Sequence, residues 1–151
     1  MKVLFLDIDG VLNSERYVRS CDYFGVIIDP ERMKLLKYII DSTSADIVLT
    51  SSWREHWNLD DKLSDNIGED IDRTFKIFGL HITDKTPYLK SKREHEIKAW
   101  IDAHPNIENF AVLDDMFLSA DFLTDHFVKT SNFRNGLEIE DAERVINILK
   151  N

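Results

Sequence analysis

Val3-Leu4-Phe5-Leu6-Asp7-Ile8-Asp9-Gly10 is the stretch on which the reading of this chain turns. Four apolar residues follow one another without polar alternation, as in a strand buried on both faces of a sheet. The run stops at two carboxylates and a glycine. Two later stretches have the same form: Ile47-Val48-Leu49 stops at Thr50-Ser51-Ser52, and Phe110-Ala111-Val112-Leu113 stops at Asp114-Asp115. Phe75–Ile82 is read as a further strand and Phe127-Val128 as a short last one. Helical signals lie between these runs. Asp29-Pro30-Glu31 reads as a cap followed by proline at the first helical position, and Met33, Leu36 and Ile40 follow at helical spacing, with Ile39 beside them. This predicts a helix over about 30–41. Ser52-Trp53-Arg54-Glu55 and Ser91-Lys92-Arg93-Glu94 both fit a capping box, so helices are expected from Trp53 and just after Ser91. Ile97, Trp100 and Ile101 form the buried face of the second of these, and Pro105 marks its end. Residues 58–74 are acidic and weakly patterned, and are read as short helix and loop. Ile139, Ala142, Val145, Ile146 and Leu149 give an amphipathic last helix. Strands alternating with helices predict an α/β fold with a mainly parallel central sheet.

Composition limits what such a fold can do. At 151 residues, with 43% hydrophobic and 31% charged residues, the chain is an ordinary globular one, read as a single domain over 1–151. Its net charge of −9 speaks against holding extended nucleic acid through general electrostatics. A local phosphate site or a divalent cation site remains open. The single cysteine, Cys21, can form no internal disulfide and is read as inert. No apolar run approaches the roughly 20 residues of a membrane span. The run Val3–Leu6 is cut off at Asp7, which does not fit a signal peptide. The expected setting is the cytoplasm, with no membrane partner. The acidic stretch Asp60–Asp72 lacks the glycine of an EF-hand loop, and the histidines show no zinc-ligand spacing.

In a parallel sheet, ligands bind beyond the carboxyl ends of the strands. The three polar strand ends would meet there. Asp7, Asp9, Asp114 and Asp115 would repel one another unless a cation stood among them. Mg²⁺ prefers oxygen ligands and commonly takes one or two carboxylates plus phosphate oxygens. Asp7 and Asp9 are two apart, so on a continuing strand they point the same way, one to attack and one to handle a proton. Gly10 lets the chain turn sharply. Ordinary turn chemistry explains many isolated Asp-x-Asp-Gly segments. Here the flanking apolar run and a second acidic strand end favour a site. Lys92 and Arg93 add a separate clue. Cations in a first helical turn cost about 0.3–1 kcal/mol each against the helix dipole. Glu94 and Glu96 offset some of this, and a bound anion would remove the conflict.

Leu4-Phe5-Leu6-Asp7-Ile8-Asp9-Gly10-Val11-Leu12 resembles the first motif of the haloacid dehalogenase-like (HAD) superfamily. Ile47-Val48-Leu49-Thr50 is similar to its second motif, and Ala111-Val112-Leu113-Asp114-Asp115 to its fourth. Lys92 and Arg93 both stand where the basic residue of the third motif falls. Arg93-Glu94-His95-Glu96-Ile97-Lys98-Ala99-Trp100-Ile101 is similar to a helix of some small members, which favours Arg93. The resemblance implies a three-layer Rossmann-like fold, and a phosphatase rather than a dehalogenase because Asp9 is present. It implies Asp7 as nucleophile and Mg²⁺ ligand. Asp9 would be the general acid and then base, and would also bind the metal through its carbonyl. Thr50, with Ser51 beside it, and Arg93 or Lys92 would bind the phosphoryl group. Asp114 and Asp115 would complete the metal shell, with Asp115 favoured as direct ligand.

The segments around the motifs are too short for a large cap, leaving at most a flap at about 13–28. An open site suits phosphorylated small molecules, nucleotides or a nucleic-acid end. Tyr17, Tyr23, Phe24, Trp53 and Trp57 are candidate stacking surfaces, although Trp53 and Trp57 are four apart and at least one should face the core. The competing reading is a binding or regulatory module on the same fold without turnover.

Overall fold

The computed structural model describes residues 1–23, 25–130 and 134–151. Five strands, β1 (Lys2–Leu6), β2 (Asp46–Leu49), β3 (Ile82–Lys85), β4 (Asn109–Asp114) and β5 (Phe127–Lys129), form one all-parallel sheet in the order β3-β2-β1-β4-β5. The helices are α1 (Glu15–Ser20), α2 (Pro30–Thr43), α3 (Asn66–Ile77), α4 (Arg93–Asp102) and α5 (Ile139–Lys150). Among the described residues there is no large cap domain. No helix is long and apolar enough to cross a membrane.

Side chains along β1 alternate between two cores. Leu4 and Leu6 join Met33, Leu36, Ile71, Phe75 and Val145 beneath α2, α3 and α5. Val3 and Phe5 join Val48, Ile97, Trp100 and Val112 beneath α4. Burial on both faces is why the strand runs are continuously apolar, and the result is a three-layer α/β Rossmann-like fold. The register matters most for function: Leu6 lies beside Leu49 on one side and Leu113 on the other. Asp7, Thr50 and Asp114 therefore leave the sheet at one level. Backbone bonds continue past the strand ends, from Asp7 N–H to the Leu113 carbonyl (3.1 Å) and from Thr50 N–H to the Leu6 carbonyl (2.9 Å).

The first long helix, the short β5 and the last helix lie where the sequence pattern predicts. Three other expectations need correction. Phe75–Ile82 is not a strand. Asp65 caps α3 by accepting from Ile67 N–H and Gly68 N–H, and Ile67, Ile71 and Phe75 recur every four residues, which is helical spacing. The chain turns at Gly79 (φ +69°) before β3 starts at Ile82. No long helix starts at Trp53. Ser51, not Ser52, caps a single 3₁₀ turn over Ser52–Glu55. The Lys85 ammonium takes the carbonyls of Arg54 (3.0 Å) and Trp57 (2.6 Å), so the turn ends satisfied without another helical turn. Finally, α4 is capped at Lys92 rather than Ser91, whose hydroxyl instead lies 2.7 Å from His95 Nδ1. Within α4, Ile97 and Trp100 are buried and Ile101 is half-buried.

Candidate active site

Asp7 is buried, 4% exposed, at the end of the central strand. Gly10 (φ +78°) follows, and any side chain there would run into the Asp115 carboxylate. This close approach is why glycine is required at the turn. Carboxylate oxygens of Asp7, Asp114 and Asp115 all lie within 4.8 Å of one another, a ligand set suited to a cation. Burial, and then the Asp114 charge, push the Asp7 carboxyl well above the usual carboxylate range; Arg93 opposes this and Asp115 adds to it. Asp115 is also raised, chiefly by burial. Such a cluster favours a bound proton or a metal over bare charge.

Arg93 opens α4 and faces this cluster. Its Nη1 lies 2.6 Å from Asp114 Oδ2 and 3.3 Å from Asp7 Oδ2. Burial works against the charged guanidinium, but Asp7 and Asp114 outweigh it and hold its pKa above the ordinary arginine value. Lys92, at the cap position, is exposed. Asp114 is fully buried, and its second oxygen accepts from Met116 N–H (2.9 Å). Asp115 is half-buried and more accessible.

On the neighbouring strand, Thr50 is buried and its hydroxyl has no hydrogen-bond partner among the described residues. A buried hydroxyl without a partner is costly, and such atoms commonly mark a ligand position. The Ser51 hydroxyl, by contrast, is used in accepting from Trp53 N–H (3.2 Å).

Asp9 is exposed at the rim, and both its oxygens are held. Oδ1 accepts from Asn13 Nδ2 (2.9 Å) and Oδ2 from Trp53 Nε1 (3.0 Å). Asn13 is itself buried, accepts from Gly10 N–H (2.9 Å) and donates to the Ile27 carbonyl (2.7 Å). Behind Thr50, Arg54 forms a strap. It donates to the carbonyls of Thr50 (2.9 Å), Ser51 (3.1 Å) and Thr86 (3.0 Å) and pairs with buried Glu96 (2.9 Å). Glu96 also accepts from Leu89 N–H (2.8 Å). One ion pair thus ties the Thr50 loop to the helix that carries Arg93.

Sequence reasoning missed Asn13, Arg54 and Glu96. Glu96, a charged residue beside the apolar Ile97 and one turn beyond Arg93, was the one visible signal. The candidate stacking residues divide: Trp57 is buried, Trp53 and Tyr17 are half-buried, and Tyr23 is exposed and donates to Asp70 (2.9 Å). Phe24 lies outside the described residues. A cavity of 710 Å³ against α3, lined by Asn58, Asp61, Arg73 and Lys76 among others, shares none of the site residues.

A parallel sheet whose central strand ends in Asp7, flanked by Thr50 on one side and an acidic pair facing a basic helix start on the other, defines a HAD-superfamily domain. Over residues 3–142 the chain matches the family described as the HAD domain in Swiss Army Knife RNA repair proteins, and it belongs to that family. No curated protein and no solved structure matches it.

Proposed function

We propose that the chain is a Mg²⁺-dependent phosphomonoesterase working through an aspartyl-phosphate on Asp7, with a phosphorylated nucleic-acid end as substrate. The observation that carries the reading is the buried Asp7 carboxylate set between the Asp114–Asp115 pair, Arg93 and the unpartnered Thr50 hydroxyl. Asp7 and Asp115, backed by Asp114 and the Asp9 carbonyl, would hold the metal. When bound, Mg²⁺ supplies the positive charge that lets a carboxylate approach an anionic phosphate.

In the first step an Asp7 oxygen attacks phosphorus and the bond to the leaving oxygen breaks. Asp9 donates its proton to that oxygen. In the second step Asp9 takes a proton from water, the water oxygen attacks phosphorus, and the Asp7–phosphorus bond breaks to release phosphate. Two steps have smaller barriers than one. Thr50 Oγ1 donates to the transferring group, and Arg93 neutralises its charge. Arg93 is favoured over Lys92 because its guanidinium already faces both Asp7 and Asp114. Asn13 and Trp53 hold Asp9 in place. The nucleic-acid end is supported by the RNA repair proteins for which the family is described and by the absence of a large cap.

Phosphate release from an aryl phosphate ester, with Mg²⁺ and with a chelator, tests the reading. Wild type should turn over only with the metal, and folded Asp7→Asn not at all. Equal rates in the two proteins would remove the proposal.

A further inference from the structure

Two adjoining cavities, of 450 and 240 Å³, share Arg16 and Arg134, and the first is lined by Ser14, the residue after Asn13. Arg32 lines the first and Arg19 the second. Four arginines therefore meet along one groove of a chain whose net charge is −9. Glu15, Asp29 and Glu138 lie among them, so the groove is only slightly positive. Three of the arginines, Arg19, Arg32 and Arg134, already have partners. Arg19 pairs with Glu15 (2.5 Å); Arg32 stands 3.7 Å from Asp29 and donates to the carbonyls of Asn135 and Leu137. Arg32 Nε is buried without a hydrogen-bond partner. Arg16 and Arg134 are exposed, and Arg16 makes no ion pair among the described residues.

The groove adjoins the site through the chain itself. Asn13, which holds Asp9, is followed by Ser14, which caps α1 and lines the groove. Leu137 N–H donates to the Val11 carbonyl (2.8 Å), tying the other wall to the same turn. Arginine presents a planar fork matched to phosphate oxygens, whereas a diffuse positive surface would also use lysine. Among the lining residues of these two cavities every cation is arginine.

We infer that this groove binds phosphodiester groups of a single nucleic-acid strand next to the phosphate that reacts at Asp7. The position of the reacting end rests on the phosphohydrolase reading; the groove's affinity for the strand does not. Its capacity is about one phosphate, which suits a strand end rather than a long stretch of nucleic acid.

The test is binding of a labelled six-nucleotide strand by fluorescence anisotropy, which needs no turnover, with RNA and DNA arms and with the phosphate at either end. Arg16→Glu should weaken binding about fivefold or more, the scale of an exposed charge contact with its sign reversed. It should also lower the slope of log affinity against log salt by about 0.7, one phosphate's share for a single strand. Arg16→Lys should restore the salt slope, and Arg73→Glu on α3 should bind as wild type does. The ratio of kcat/KM on the strand to kcat/KM on an aryl phosphate should fall in Arg16→Glu. Equal binding by wild type and Arg16→Glu would overturn the groove, as would equal competition by polyglutamate, which would mark it as a site for acidic peptide. Strand binding by wild type, with no phosphate release from any ester in the presence of Mg²⁺, would instead sink the phosphohydrolase reading and leave the groove standing.

Discussion

Arg93 Nη1 lies 2.6 Å from Asp114 Oδ2, and Asp114 is fully buried. The residue proposed to neutralise the transferring group is thus also the counter-ion of a carboxylate inside the protein. Removing it leaves that charge unpaired, which costs about 3–5 kcal/mol in buried pairs. Arg93→Met should therefore lower the urea midpoint strongly as well as abolish phosphate release. Arg93→Lys should recover part of the stability while KM stays high, because a point charge does not replace a planar fork. A stable, folded Arg93→Met protein would contradict this account.

Asp115 tests the cation site from the other direction. Asp7 and Asp115 both bind protons more tightly folded than unfolded, so their contribution to metal-free stability is greatest at low pH. It falls as pH rises from the ordinary carboxylate value of 3.8 through the raised folded values. Mg²⁺ should therefore raise Tm more at pH 7 than at pH 4.5. Asp115→Asn removes one of the repelling charges. It should raise metal-free Tm at pH 7 and abolish the Mg²⁺-induced rise, both readable by differential scanning fluorimetry. A Mg²⁺ response that survives in Asp115→Asn would place the ion elsewhere.

Trp53 holds Asp9 through one hydrogen bond (3.0 Å) and takes no other part in the proposed chemistry. General acids contribute roughly 10²–10⁴-fold, and misdirecting one loses part of that. Trp53→Phe should lower kcat about tenfold on an alkyl phosphate, whose leaving group needs a proton. On a nitrophenyl phosphate, whose leaving group does not, it should lose much less. Equal losses on the two esters would mean that Trp53 does not act through Asp9.

Arg54 and Glu96 are buried and paired behind Thr50. Arg54→Met should cost about 3–5 kcal/mol, because it leaves Glu96 unpaired. Glu96→Gln keeps a hydrogen-bonding group of similar shape and should cost less. Both should raise KM more than they lower kcat, since the strap positions Thr50 and the Arg93 helix and touches no substrate. Guanidinium titrations and steady-state kinetics on the two variants separate these effects.

Much of this was legible in the sequence, for a physical reason. Runs such as Val3–Leu6 and Ala111–Leu113 read as strands because they are short, stop at polar residues, and are buried on both faces of the sheet. Once the strands are parallel, their ends meet at one edge, and Asp7, Thr50 and Asp114 meet with them. Phe75–Ile82 reads as one strand because an apolar segment crosses an element boundary there. The apolar Phe75 belongs to the helical series of Ile67 and Ile71, and only Ile82 belongs to the strand. The cap at Ser51 lies one residue early because Ser52 offers an equally good local signal, and the start of α4 after Lys92 is not legible because Ser91 spends its hydroxyl on His95 while Lys92 makes no side-chain cap bond. Asn13, Arg54 and Glu96 act through partners far away in the chain, or through turn geometry, and neither propensity nor spacing encodes those.

The central claim is that Asp7 carries the phosphoryl group during turnover. Acid quenching of the wild type during turnover with Mg²⁺, followed by mass spectrometry of the peptide that spans Asp7, measures this directly. The account predicts a phosphoryl group on Asp7 in wild type and none in Asp7→Asn. Turnover with Asp7 unmodified, or with the phosphoryl group on another residue, would contradict it.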